Sequence, residues 1–221
     1  MPITGWIYGL VFKAVDTPEQ ISFRGVRLRI DPDDTTITPT LITGQYESTE
    51  LDLLDSLLDE GMTVIDVGAN CGVYTCLAAQ SVGQTGRVVS FEPVRDNLDL
   101  LRESVELNQP ATEVVDVVDA AAGPDESTVR IFLDADNSGT HSIGGTGEEY
   151  VDVRQTTIDT VVDELDLDRI DLVKVDVEGY EPGVLAGADR SLRRFTPMLL
   201  CEFDAEMIRA TGGNPDQFAS M

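Results

Sequence analysis

Basic residues are scarce in this 221-residue chain, which has 15 lysines and arginines against 41 aspartates and glutamates. Lys13 and Lys174 are the only lysines. The net charge of -26 repels nucleic-acid phosphates and anionic membrane surfaces, so neither is expected as a partner. A solvated acidic surface is typical of proteins adapted to high salt, and we expect a halophilic source.

Cysteine and histidine are also rare. Cys71, Cys76 and Cys201 are an odd number without paired spacing, so the sequence indicates neither a disulfide framework nor a zinc site. A reducing cytoplasm is the location expected. The single histidine, His141, lies in a polar loop sequence. Imidazole can transfer protons near neutral pH, so His141 is a candidate base or substrate contact. A surface role is the alternative.

Long apolar runs are absent as well. The segment from Ile3 to Phe12 is fairly apolar, but no basic residue precedes it and it is too short to span a bilayer. We therefore expect neither a signal sequence nor a membrane anchor. An N-terminal helix that packs Trp6, Ile7 and Phe12 against the domain is the expectation.

With 42% hydrophobic residues, the chain can bury a core, and its pattern alternates between strands and helices. Short apolar runs predict strands at 63–67, 87–91, 113–118, 172–177 and 198–203, and helical spacing predicts helices at 72–80, 97–107 and 183–194. This order predicts an α/β fold with a doubly wound, mostly parallel sheet, in which helices cover both faces. We expect an N-terminal extension over 1–45, a main domain over 46–221 and an antiparallel insertion at about 128–156.

The first predicted strand runs into the turn Asp66-Val-Gly-Ala-Asn-Cys-Gly72 and then into a helix. Gly68 and Gly72 leave the backbone bare, and the following helix presents free N–H groups, so the turn is suited to a nucleotide-type ligand. Asn70 stands where the second glycine of the dinucleotide fingerprint would be. A pyrophosphate-binding site is therefore disfavoured.

The second strand ends at Phe91-Glu92-Pro93, which places a carboxylate 24 residues after Gly68. At that spacing Glu92 can accept both hydroxyls of an adenosyl ribose. The structural alternative is that Glu92 caps the helix that begins near Asp96. Together, the turn and the acid indicate a cofactor site at the carboxyl ends of two parallel strands.

These residues resemble a known family. Five segments carry the resemblance: Val64 to Gly72, Phe91-Glu92-Pro93, Thr157-Ile158-Asp159, Ile170 to Glu181 and Pro197 to Glu202. In order and spacing they are similar to the FkbM family of S-adenosylmethionine-dependent methyltransferases, which have a Rossmann-like sheet. The block Lys174-Val-Asp-Val-Glu-Gly179 is the most specific part. The resemblance implies S-adenosylmethionine as the cofactor.

The resemblance also implies roles for the cofactor site. The turn with Gly68, Asn70 and Gly72 would face the methionine part, Asp66 would support this turn or meet the amino group, and Glu92 would hold the ribose. Asp119, at the end of the third strand, would lie beside the adenine and accept from its exocyclic amine. A solvated loop acid is the alternative for Asp119.

Three acids follow the fourth strand or the fifth, and they are the candidates for orienting or deprotonating an acceptor. Asp176 and Glu178 alternate at the end of a parallel strand, where ligands bind in open sheets, and Glu202 ends the next strand. Lys174 shares the strand face of Asp176 and is a possible partner. For Glu181 we prefer the interpretation of favourable charge at a helix N-terminus. We expect no metal site, although a cation between Asp176 and Glu202 is conceivable.

The leading hypothesis is O-methylation of a hydroxyl on a small molecule or glycan. A non-catalytic protein that keeps the cofactor fold is one alternative. A nicotinamide-dependent oxidoreductase is another, disfavoured by Asn70 and by the absence of a Tyr-x-x-x-Lys pair. The family's sheet usually closes with a C-terminal antiparallel strand pair, which we expect this chain to lack. A homodimer that covers the exposed edge is therefore expected.

Overall fold

The structure is a computed structural model that describes residues 17–109, 111–133, 141–143 and 149–219. The predicted N-terminal helix lies outside these residues. The strands are β1 Gln20–Phe23, β2 Val26–Arg29, β3 Thr63–Val67, β4 Arg87–Phe91, β5 Val115–Val118, β6 Ala121–Ala122, β7 Ser127–Phe132, β8 Tyr150–Thr156, β9 Leu172–Val175 and β10 Met198–Cys201. The helices are α1 Ile37–Ile42, α2 Ser48–Leu57, α3 Val73–Val82, α4 Arg95–Leu107, α5 Ile158–Glu164, α6 Glu181–Ala186, α7 Asp189–Phe195, α8 Ala205–Ala210 and α9 Pro215–Phe218, with one 3₁₀ turn at Gly83–Thr85.

The central sheet has five parallel strands in the order β10-β9-β3-β4-β5. The chain starts in the middle at β3, moves outward through β4 and β5, and returns to β9 on the other side of β3. This is the doubly wound arrangement that the sequence predicts. The strand order reverses between β3 and β9, and ligands of open α/β sheets bind at the carboxyl ends of the strands at such a point.

Alternate residues of the central strands feed two separate cores. Val64, Val88 and Leu172 point to one face, where they pack with α2, α3 and the β1–β2 hairpin. Ile65 and Val173 point to the other face, where they pack with α5, α6 and α7. Strands that are apolar on both faces need cover on both. The two cores therefore fix the register of the sheet and hold its carboxyl edge rigid.

Two smaller sheets flank the central one. The hairpin β1–β2 buries Phe23, Val26 and Leu28 in the first core. The predicted antiparallel insertion is present as β7 and β8, and β8 also pairs in parallel with β6 to give the order β6-β8-β7. The short strand β6 has only two residues, and periodicity could not reveal it.

The helix predicted at 183–194 is two helices, α6 and α7, separated at Gly187. A Cβ at Gly187 would lie 1.9 Å from the carbonyl oxygen of Gly123, so the chain here needs a residue without a side chain for close approach. After β10 the described chain continues as α8 and α9, and it contains no further strand up to residue 219. None of the helices in the described ranges is long and apolar enough to cross a bilayer.

Candidate active site

Glycines occupy the turn that follows β3 because neighbouring parts of the chain approach its backbone closely. Gly68 has φ +80°, and a Cβ there would lie 2.0 Å from the carbonyl oxygen of Asp176. A Cβ at Gly72, with φ +92°, would lie 2.9 Å from Leu101 Cδ1. The missing side chains therefore serve packing first. Gly68 still lines the main cavity, whereas Gly72 is not among the residues that line it.

Glu92 joins the turn to the end of β4. It is 4% exposed, and its two oxygens accept the backbone N–H groups of Asn70 and Val94, each at 2.9 Å. Burial raises the pKa of Glu92 to about 7, against the lowering effect of these two hydrogen bonds. Val94 is the N-cap residue of α4, so the capping alternative holds in part. Each carboxylate oxygen can accept a second hydrogen bond, and Glu92 lines the cavity.

Asp66 lies beneath the turn and not on the cavity wall. It is 1% exposed, and its Oδ2 accepts a hydrogen bond of 2.6 Å from Thr75 Oγ1. The ammonium of Lys174 lies 3.5 Å from its Oδ1. Of the two roles that the resemblance allows, the structure favours support of the turn.

The structure does not bring Asp119 to the cavity. Its side chain is exposed and pairs with Arg102 at 3.6 Å. Because β5 ends one residue earlier, the backbone turns toward β6, and the residues that line the cavity there are Ala121 and Ala122. The alternative of a solvated acid describes Asp119, and its expected contact with an adenine has no support from this geometry.

The three candidate acids meet at the carboxyl ends of β9 and β10. One oxygen from each of Asp176, Glu178 and Glu202 lies within 4.8 Å of the others, a spacing that could hold a metal ion. Burial and the neighbouring carboxylates raise the pKa of Glu178 to about 7 and that of Glu202 to about 8. These groups therefore share protons near neutral pH, as closely spaced carboxyls do.

Glu181 holds the loop that presents these acids. It is 1% exposed, and its Oε1 accepts the backbone N–H groups of Val177 and Gly179, both at 3.1 Å. Between them, Glu178 has φ +53°, a left-handed conformation that an L residue adopts only under constraint. Glu181 begins α6, as the interpretation of a charge at a helix N-terminus expects, and its hydrogen bonds also fix the loop.

One cavity of about 390 Å³ contains most of these groups. Its wall includes backbone and side chains of the glycine turn, Glu92, the three acids and His141. A second cavity of about 310 Å³ adjoins it and shares five lining residues with it: Glu47, Tyr74, Lys174, Asp176 and Glu202. Of the residues predicted from the sequence, the main cavity is lined by Gly68, Asn70, Glu92, His141 and the three acids, and it is not lined by Asp66, Gly72 or Asp119.

The sequence analysis did not identify Tyr74 and Glu47, whose side chains line both cavities. Tyr74 Oη donates a hydrogen bond of 2.6 Å to Glu47 Oε2, and Lys174 Nζ lies 4.7 Å from the centre of the Tyr74 ring. Burial and the adjacent Glu47 carboxylate raise the pKa of Tyr74, so its hydroxyl keeps its proton. The position of Tyr74 in the first turn of α3 was the only signal in the sequence.

A doubly wound parallel sheet with a glycine turn and an acid at successive strand ends is the arrangement of the Rossmann-like folds. The family within this class of fold is identified by comparison with known proteins. Residues 66–218 match the methyltransferase FkbM domain, and the chain belongs to the FkbM methyltransferase family.

Individual relatives match parts of the chain. It is 29% identical over 150 residues to the hexuronic acid methyltransferase AglP of Haloferax volcanii, which covers 65% of this chain and 58% of that protein. It is 26% identical over 200 residues to the antimetabolite synthetase AmbE of Pseudomonas aeruginosa, covering 75% of this chain and 9% of the synthetase. A solved FkbM methyltransferase from Methylobacillus flagellatus has 17% identity and a TM-score of 0.48, covering 81% and 49% of the two chains.

Proposed function

We propose that this chain binds S-adenosylmethionine and transfers its methyl group to a hydroxyl oxygen of a small molecule or glycan. The observation that carries the proposal is the main cavity, whose lining includes Gly68 and Asn70 of the glycine turn, Glu92, and the acids Asp176, Glu178 and Glu202. A cofactor site and a cluster of proton acceptors thus share one space at the switch point of the sheet. Membership of the FkbM family supports the same activity.

The residues present suit this cofactor. The buried carboxylate of Glu92 keeps one acceptor position free on each oxygen, which matches the two hydroxyls of a ribose. Gly68 and Asn70 offer backbone to the rest of the molecule. Bound S-adenosylmethionine would supply a methyl group on a positively charged sulfur, and nearby carboxylates favour that charge.

In such a transfer the acceptor oxygen would gain the methyl group, and the sulfur would keep the electron pair of the broken bond and leave as neutral S-adenosylhomocysteine. The acceptor hydroxyl loses its proton, and Glu202, Glu178 or Asp176 takes it. The raised pKa values of Glu178 and Glu202 suit a proton acceptor that works near neutral pH. His141 lines the same cavity and is a second candidate for the proton or for a substrate contact.

The charge of the cavity argues for a neutral acceptor. Among the described residues that line the two cavities, Lys174 is the one lysine or arginine, and it already pairs with Asp66 and Asp176. Glu47 and Glu50 add carboxylates to the second cavity. A hexuronic acid, named in the relative AglP, would bring its own carboxylate into this field, so we propose a neutral sugar or polyol instead.

A methyl-transfer assay tests this proposal with matched acceptors. S-adenosylhomocysteine formation is followed with a methyl glucoside and the corresponding methyl glucuronide, using the native chain and the variant Glu202→Gln. We expect turnover with the neutral acceptor, little with the glucuronide, and loss of rate in the variant. The same substitution at the exposed Glu106 is the matched control for removing a surface charge. Turnover with neither acceptor would count against sugar methylation, and preference for the glucuronide would contradict the charge argument.

We further propose that the protein works as a dimer at high salt in a reducing cytoplasm. The net charge of -26 destabilises a compact state unless counterions screen it. The edge strand β10 exposes apolar side chains, with Met198 37% and Leu199 49% accessible, and such edges pair readily. Light scattering in molar potassium chloride tests the dimer, and a monomer mass would contradict it. Circular dichroism that shows complete folding without salt would contradict the salt requirement.

A further inference from the structure

Lys174 occupies the point where the two halves of the site meet. It is 5% exposed, at the centre of β9, between the strand that carries the glycine turn and the strand that carries Glu202. Its ammonium donates a hydrogen bond of 3.0 Å to the carbonyl oxygen of Gly68. It also lies 3.4 Å from Asp176 Oδ2 and 3.5 Å from Asp66 Oδ1. Three acceptors thus surround a group with three donors.

Each of these contacts meets a need that the surroundings create. Asp66 Oδ1 is buried, and the described residues offer it no hydrogen bond of normal geometry, so the nearby ammonium compensates its charge. The carbonyl of Gly68 belongs to the cofactor turn, and Asp176 belongs to the acid cluster. One nitrogen atom therefore contacts both the glycine turn and the acid cluster.

We propose that Lys174 is a positioning residue that fixes the glycine turn relative to Asp176, so that the methyl donor and the acceptor meet in register. This inference rests on the proposed function and adds to it a determinant of geometry. In-line transfer depends on alignment of the donor and acceptor, and displacements of about 1 Å in such a site cost about 100-fold in rate.

An arginine would not replace this lysine, although arginine is much the commoner basic residue in the chain. The ammonium is a compact donor that directs bonds to three sides, whereas a guanidinium is planar and larger. Tyr74, 4.7 Å from Nζ to the ring centre, closes the remaining side. The space beneath the turn suits an ammonium.

The charge of Lys174 reaches the cofactor wall as well. It lowers the pKa of Glu92, which Asp66 and above all burial raise, and to which Asn70 and Val94 donate backbone N–H groups. Removal of the lysine charge would therefore move the protonation of Glu92 to higher pH. Binding of a ligand that needs the ionised carboxylate would then weaken at neutral pH.

The experiment compares the native chain with Lys174→Met, which removes the charge, and Lys174→Arg, which keeps it. Hydrogen exchange of the peptide over 66–74, relative to the peptide over 158–164, reports on the turn without any ligand. Calorimetry with S-adenosylhomocysteine across pH reports on the cofactor wall. We expect at least tenfold faster exchange in the turn peptide of Lys174→Met, at least tenfold weaker binding, and a shift of the binding profile to higher pH.

The arginine variant separates geometry from charge. Lys174→Arg should keep the native pH profile of ligand binding. Its turn peptide should still exchange faster than that of the native chain, as in Lys174→Met. Equal changes in both peptides would indicate general destabilisation and overturn the inference, as would native exchange and affinity in Lys174→Met. If the methionine variant does not fold, the exchange of the arginine variant decides, with native exchange overturning the inference. If the native chain binds no S-adenosylhomocysteine, the proposed function fails, and the exchange data still decide whether Lys174 holds the turn.

Discussion

Glutamine at position 92 would remove a buried charge without changing the shape of the side chain. Burial raises the pKa of Glu92 from 4.5 to about 7, so the folded chain holds the proton more tightly than the unfolded chain does. The stability gained from this proton is complete below the unfolded pKa and is lost as the pH rises through about 7. A difference of this size corresponds to on the order of 3 kcal/mol.

The assay is urea unfolding of the native chain and Glu92→Gln in molar potassium chloride, at about pH 4 and about pH 9. The variant loses one accepted backbone hydrogen bond at every pH, about 1 kcal/mol, so only the change with pH is diagnostic. The native chain should lose on the order of 3 kcal/mol relative to the variant across this interval. A difference that does not change with pH would refute the argument that burial holds the proton on Glu92. Glu106→Gln, an exposed change, is the control.

Three further outcomes are expected. Gly68→Ala should destabilise the protein by about 2 kcal/mol more than Gly44→Ala in urea unfolding. Both glycines have positive φ, but only at Gly68 would an added Cβ lie 2.0 Å from the carbonyl oxygen of Asp176. Equal effects of the two substitutions would contradict this. Thr75→Val should cost about 1–3 kcal/mol because it removes the donor to a buried carboxylate oxygen, and an unchanged midpoint would argue against that bond. The rate of methyl transfer should rise with pH through about 8 as Glu202 ionises, and Glu202→Gln should lack this rise.

Most of the fold follows from local patterns in the sequence. Short apolar runs predict the central strands, since β3, β4 and β9 are buried on both faces and contain few polar residues. Periodicity does not predict the break at Gly187, where the backbone passes close to the carbonyl of Gly123, more than sixty residues earlier in the chain.

The candidate site, like the fold, could be predicted from the sequence only in part. Glu92, Asp176 and Glu202 follow strands of one parallel sheet, so strand order alone places them at one edge. Asp119 follows a strand as well, but the backbone turns away at that point, and the side chain reaches Arg102 in solvent. Gly68 was predicted to make room for a ligand; a neighbouring carbonyl lies where its side chain would be, and Gly68 also lines the main cavity.

The contact between Tyr74 and Glu47 depends on how α2 and α3 pack, which single-residue patterns do not encode. From the sequence, we expected Lys174 only as a partner for nearby acids. Its bond to the carbonyl of Gly68 joins residues 106 positions apart. Relations of this kind appear only when the sheet is assembled.

The most direct test of the account is calorimetric titration of S-adenosylmethionine and S-adenosylhomocysteine into the protein in molar potassium chloride, beside Glu92→Ala. We expect one-to-one binding by the native chain and loss of binding by a variant that circular dichroism shows to be folded. Absence of binding by the folded native chain, or equal binding by the variant, would contradict the assignment of the cavity and of Glu92 to this cofactor.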